Sequence, residues 1–132
     1  MASYTQHYQL HQWEPGDDFL RTDFNADFEK IDAALGAKCE MVTGSYLGDG
    51  EADRTVILPF SPQAVILSSS EGETYRYPET TGGVAVSGHP LASYHYADPC
   101  LALVENGFQV GQSDRNVNTN ENGTTYHYAA FR

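Results

Sequence analysis

Basic residues are scarce in this chain. Its 132 residues hold seven Lys+Arg against eighteen Asp+Glu, a formal net charge of −11. Seven scattered cations cannot neutralise a run of phosphates, so the charge excludes a nucleic-acid partner and disfavours an anionic membrane surface. No apolar run approaches the ~20 residues that span a bilayer, so no membrane insertion is expected. The opening residues, MASYTQHYQLHQ, lack the basic and apolar regions of a signal peptide. Synthesis in the cytosol, with exit by some other route, is the expectation. Cysteine is also rare: Cys39 and Cys100 stand alone, without a Cys-x-x-Cys unit. Reduced, buried thiols are expected, with a single disulfide as the alternative if the protein works outside a cell.

Catalytic signatures are missing as well. There is no Gly-x-Ser-x-Gly, no credible Cys/His pairing and neither Gly-rich nucleotide fingerprint. Ser93 and His95 lie two apart and share a strand face, but no orienting acid or oxyanion hole accompanies them. His7 and His11 have the i, i+4 spacing of a helical metal pair, without a Glu beside His7 or a third ligand. Asp49, Glu51 and Asp53 open like a calcium loop. Its sixth position is Arg54 rather than Gly, and its twelfth is Phe60 rather than Glu. A solvated turn with carboxylates facing water is the plainer reading. The expectation is a protein that is not an enzyme and holds no metal or cofactor.

What is present divides near Gly36. Residues 1–36 are polar and acidic, read as an extended arm followed by one helix. Phe24, Phe28, Ile31 and Leu35 follow a 4-3-4 spacing that places them in one stripe, opposite Asn25, Glu29 and Asp32. Thr22 or Asp23 is the predicted N-cap, and Gly36 the predicted left-handed residue after the helix. So short a helix is marginal alone, so the stripe must dock. It packs either on its own domain or against copies of itself.

Residues 37–132 read as β. Val42, Gly44 and Tyr46 alternate with Thr43, Ser45 and Leu47, and Arg54–Leu58 forms a second strand. Pro59-Phe60-Ser61-Pro62 turns a corner before the apolar run Ala64-Val65-Ile66-Leu67. Thr74–Tyr77 and Gly83–Val86 are weaker strand candidates. Asn106-Gly107 and Asn122-Gly123 each predict a hairpin. Short strands with frequent turns predict a mainly β fold, an antiparallel β-sandwich preceded by the arm and one short α-helix.

Tyr75-Arg76-Tyr77, Tyr94-His95-Tyr96 and Tyr126-His127-Tyr128 bring aromatics together, and residues 112–120 are dense in side-chain amides. Rigid aromatic faces beside Asn and Arg donors suit a surface that grips polar ligands. Tyr and Asn also serve ordinary sheet and turn roles, and composition alone does not separate the two. The candidate ligand-binding residues are Tyr94, His95, Tyr96, Arg115, Asn118, Tyr126 and Tyr128.

Leu10-His11-Gln12-Trp13-Glu14, Arg21-Thr22-Asp23-Phe24-Asn25 and Lys30-Ile31-Asp32-Ala33-Ala34-Leu35 resemble the N-terminal region of phage and prophage tail proteins from Gram-positive hosts. Gly44-Ser45-Tyr46-Leu47-Gly48-Asp49-Gly50, Arg54–Phe60, Asn106–Val110 and Tyr126–Phe131 are similar to tail-fibre tip domains, and through them to the H-type lectin sandwich. The resemblance implies a homotrimeric, carbohydrate-binding receptor-binding protein of the virion, assembled in the bacterial cytoplasm and released by lysis. It implies attachment to other tail or virion proteins through Tyr8, Leu10 and Trp13. Phe24, Phe28, Ile31 and Leu35 would then serve oligomerisation, and the β domain would meet a host surface glycan. The alternative is a purely structural collar or decoration subunit without a ligand.

Overall fold

The computed structural model describes all 132 residues, in two compact units, Met1–Cys39 and Glu40–Arg132. The division falls three residues beyond the one read from composition.

In the first unit the arm is a small hairpin rather than an extended strand. β1 (Ser3–Tyr4) pairs antiparallel with β2 (His11–Gln12). The helix α1 (Arg21–Gly36) begins earlier than predicted. Its N-cap is Leu20, with no side-chain cap, while Thr22 and Asp23 lie inside the first turn. Gly36 is the last helical residue and Ala37 closes the helix in a right-handed conformation, so no left-handed glycine is used. Asp27 is the one buried helical residue.

The second unit is mainly β. One four-stranded sheet has the order β3 (Met41–Leu47), β14 (Thr125–Phe131), β5 (Ala64–Ser69), β8 (Gly83–Val86), all neighbours antiparallel. A second has the order β4 (Arg54–Ile57), β11 (Gly107–Val110), β10 (Pro99–Val104), β9 (Leu91–Ala92). Their inner faces meet in one core: Tyr46, Val65, Leu67, Tyr126 and Ala130 from the first, Leu101, Phe108 and Val110 from the second. Period-2 alternation explains the selection, because burying Val42, Gly44 and Tyr46 sends Thr43, Ser45 and Leu47 outward. Gly44 carries no side chain because the ring of Tyr128 on β14 occupies the space a Cβ would need.

A third, minor sheet has the order β12 (Gln112–Ser113), β13 (Val117–Asn118), β7 (Glu79–Thr80), β6 (Tyr75–Arg76). It includes one parallel pairing, Val117 with Thr80. The two Asn-Gly signals resolve differently. β10 and β11 do form a hairpin, but Val104 pairs with Gly107, so the turn residues are Glu105 and left-handed Asn106. Gly107 is the first residue of β11, placed where the Val56 carbonyl oxygen excludes a Cβ. Asn122-Gly123 is a turn but not a hairpin, since β14 pairs with β3 and β5 rather than with the segment before it.

Candidate ligand-binding surface

Three connections meet at one surface of the second unit: the β6–β7 hairpin, the β9–β10 loop and the β12–β13 turn. The β9–β10 loop is closed by Ser93. Its amide donates to the Asp98 carbonyl at 2.7 Å, and the Asp98 amide donates to Ser93 Oγ at 3.1 Å. This buried hydroxyl is a loop fastener rather than a partner of His95. The closure pushes Tyr94, His95 and Tyr96 outward, with Tyr94 and Tyr96 about half exposed at 50% and 49%.

Arg115, on the β12–β13 turn, connects two of the loops. Its Nε lies 2.7 Å from Asp98 Oδ2, and its guanidinium stands 5.0 Å from the centroid of the Tyr96 ring. Asn116 Nδ2 donates to the Tyr94 carbonyl at 2.8 Å. Tyr75, on β6, meets Tyr94 edge to face at 5.8 Å. The Tyr75 hydroxyl is shifted upward by desolvation first, then by Tyr94 and Tyr77. His95, Ala97 and Asn116 have positive φ, three of the five non-glycine residues in the chain that do. Left-handed conformations at β-carbon-bearing residues cost free energy and concentrate at functional sites.

The remaining predicted contacts lie elsewhere. Asn118 is 1% exposed and Tyr126 0% exposed, so neither can meet a ligand at this surface. Asn118 Nδ2 donates to Glu79 Oε2 at 2.9 Å. Tyr126 OH donates to the Asn118 carbonyl at 2.9 Å and accepts from the Glu121 amide at 3.1 Å. Tyr128 packs edge to face on Phe108 at 5.0 Å, on the inner side of β14. The triad Tyr126-His127-Tyr128 therefore turns its two rings into the core and leaves only His127 outside. Tyr75 and Asn116 belong to the surface although they were not among the candidates. The paired spacing of Tyr75-Arg76-Tyr77 was the sequence signal for Tyr75, and the amide-dense run 112–120 that for Asn116.

The end of the amide-rich run is likewise internal. Val117, Asn118, Thr119 and Asn120 are all buried. Asn120 Nδ2 donates to Asp49 Oδ1 and to the Glu51 carbonyl, while its Oδ1 accepts from Arg54 Nη1 at 3.2 Å. Asp49 Oδ1 also accepts the Glu51 amide at 3.0 Å. That amide, then Asn120, holds the Asp49 carboxyl below its ordinary range. Asp49 therefore braces its own loop against Asn120.

In the first unit, the His11 amide donates to Asp27 Oδ2 at 2.8 Å, and His11 Nδ1 lies 2.9 Å from Asp27 Oδ1. Lys30 Nζ donates to the Gln9 carbonyl at 2.6 Å. Trp13 stacks on His11 at 5.3 Å and meets Phe19 at 4.5 Å. Leu10 and Trp13 border a cavity of about 180 Å³ together with Phe24, Phe28 and Ile31, so the arm covers one side of the helical stripe. The other side stays open: Phe24, Phe28, Ile31 and Leu35 are all exposed, Leu35 most at 68%, and so is Tyr8 of the arm. Cys39 is exposed, contrary to expectation. Cys100 is buried, and desolvation pushes its thiol up to about 11.

Comparison with protein-family models, with curated proteins and with solved structures finds no match.

Proposed function

We propose that the chain is a homotrimeric phage tail-tip or tail-fibre module that recognises a host surface glycan through its β-sandwich unit. The arm, with Tyr8, Leu10 and Trp13, attaches it to neighbouring virion proteins, and the open stripe Phe24, Phe28, Ile31 and Leu35 joins the three copies. The observation that carries the reading is the platform of Tyr75, Tyr94, Tyr96 and Arg115 held by fastened, left-handed loops. Prearranged rings stack on the apolar faces of sugar rings at little entropic cost. Arg115 is already neutralised by Asp98, and the chain carries −11, so neutral glycans fit better than anionic wall polymers.

A glycan array probed with the assembled protein and with a Tyr94→Ala/Tyr96→Ala variant tests this. Binding by the native protein and at least a tenfold loss in the variant is the expected result. A blank array for the native oligomer overturns glycan recognition and leaves the collar or decoration reading.

A further inference from the structure

The outer face of the β3–β14–β5–β8 sheet differs from the rest of this acidic molecule. Thirteen side chains point outward from its four strands, and none is Asp, Glu, Lys or Arg. His127 is the one titratable group among them. Three of the four rows running across the strands are graded, and the last pairs Leu47 with Thr125. Met41, Phe131, Ala64 and Val86 form the first, and Thr43, Ala129, Ile66 and Val84 the second. The third is polar, with His127 between Ser45 and Ser68.

The relief of this face is divided between its halves. The middle of β3 offers only Thr43, Gly44 and Ser45, and with His127 and Ala129 of β14 this leaves an open hollow of about 520 Å³, walled on its far side by Ile66 and Ser68 of β5. On the other half, Val84 and Val86 of the edge strand β8 stand 54% and 42% exposed, with Ile66 at 46%. On β3 the hollow lies between Met41 and Leu47, themselves 56% and 60% exposed at the strand's ends, and from Ile66 to β8 the face is an apolar ridge.

We infer that this face is a self-association surface on which two copies meet about a two-fold axis. A two-fold axis lying in the contact plane along the strands, between β14 and β5, lays Val84 and Ile66 of each copy over Thr43 and Ala129 of the other, which is the reciprocity an isologous contact requires. Charge argues for a second copy as the occupant. Each copy carries −11, and a face bare of carboxylates lets two such molecules meet without opposing like charges. Four strands about 4.8 Å apart, two of seven residues, one of six and one of four, give a footprint of roughly 390 Å² per copy. That is about half the ~800 Å² per partner of a standard interface, so the contact is weak and reversible. It is separate from the helical stripe proposed to hold the trimer.

The test is sedimentation equilibrium of the full chain across about 1–100 µM, a range suited to weak contacts. Native protein and the variants Val84→Glu, Thr43→Glu, Ile57→Glu and Phe28→Asp are compared, with far-UV circular dichroism confirming the fold. Ile57 is the control, exposed on β4 of the opposite sheet. The expected result is a reversible doubling of the low-concentration species in native protein and Ile57→Glu. Val84→Glu and Thr43→Glu should weaken it at least tenfold. Two glutamates on different strands keep the outcome readable should one variant fail to fold. Phe28→Asp should alter the low-concentration species yet still double, which separates this surface from the trimer reading. A native mass independent of concentration, or equal weakening by Ile57→Glu and Val84→Glu, overturns the inference.

Discussion

At the scale of single residues, burial decides which polar side chains build the fold and which face outward. Asn118 and Asn120 look like surface donors in the sequence because amides favour turns. Both sit inside, where a chain segment leaving its sheet needs partners for its own backbone and for the loops it passes. Asn120 satisfies the Glu51 carbonyl, Asp49 and Arg54 at once. Asn120→Ala should therefore cost about 1–3 kcal/mol, since a fully buried side chain loses three hydrogen bonds at once, two of them to the charged groups of Asp49 and Arg54. Urea unfolding of native and variant protein measures it, and an unchanged midpoint would show that Asn120 braces nothing. By contrast, Tyr94 and Tyr96 face outward beside Arg115, although the same Tyr-His-Tyr spacing at 126–128 turns its rings inward, so spacing alone did not decide between surface and core.

At the scale of elements, strand content was readable from alternation and from Pro and Gly: β3, β4, β5 and β8 lie where the pattern put them, and the β10–β11 hairpin turns one residue earlier than its Asn-Gly signal. Pairing was less readable. Asn122-Gly123 marks a turn correctly, but which strand β14 joins depends on distant β3 and β5, which local turn chemistry does not encode. The helix shows the same limit. Its apolar stripe is plain in the spacing, whereas its one buried residue is Asp27, chosen by a histidine sixteen positions earlier. Desolvation pushes the Asp27 carboxyl upward. Hydrogen bonds from the ring and amide of His11, with the charge of Lys30, outweigh it and hold the carboxyl below its ordinary 3.8. A depressed folded value means that this clasp stabilises fully above the unfolded value and is lost as pH falls through the folded one. Trp13 fluorescence, followed from neutral pH downward, should therefore change below pH 3.8 as the arm leaves the helix. Asp27→Asn should show the freed-arm signal already at neutral pH, with a flattened acid transition. Identical titrations for the two proteins would contradict the clasp.

At the scale of the whole molecule, the distribution of charge matters more than its sum. The four-stranded face of β3, β14, β5 and β8 carries no formal charge, while carboxylates such as Asp49, Glu73, Glu79, Asp98 and Glu121 lie in connections and the minor sheet. An acidic molecule arranged in this way repels its copies except through its uncharged surfaces. The surfaces proposed for such contacts are the open side of the helical stripe in one unit and the ridged sheet face in the other. The mainly β class and the change of character near residue 36 followed from composition and period. Which exposed apolar surfaces recruit copies could not be read from the same pattern, because a stripe looks alike whether its own arm or a neighbour covers it. Here the arm covers only one side, and the trimer proposal rests on the other.

The most direct measurement is the mass of the purified full chain by light scattering at about 1 µM, where weak contacts are dissociated. The account predicts three times the chain mass of 14.5 kDa, collapsing to a single folded chain in Phe28→Asp. A native protein that runs as one chain, or a Phe28→Asp variant that keeps three, would contradict it.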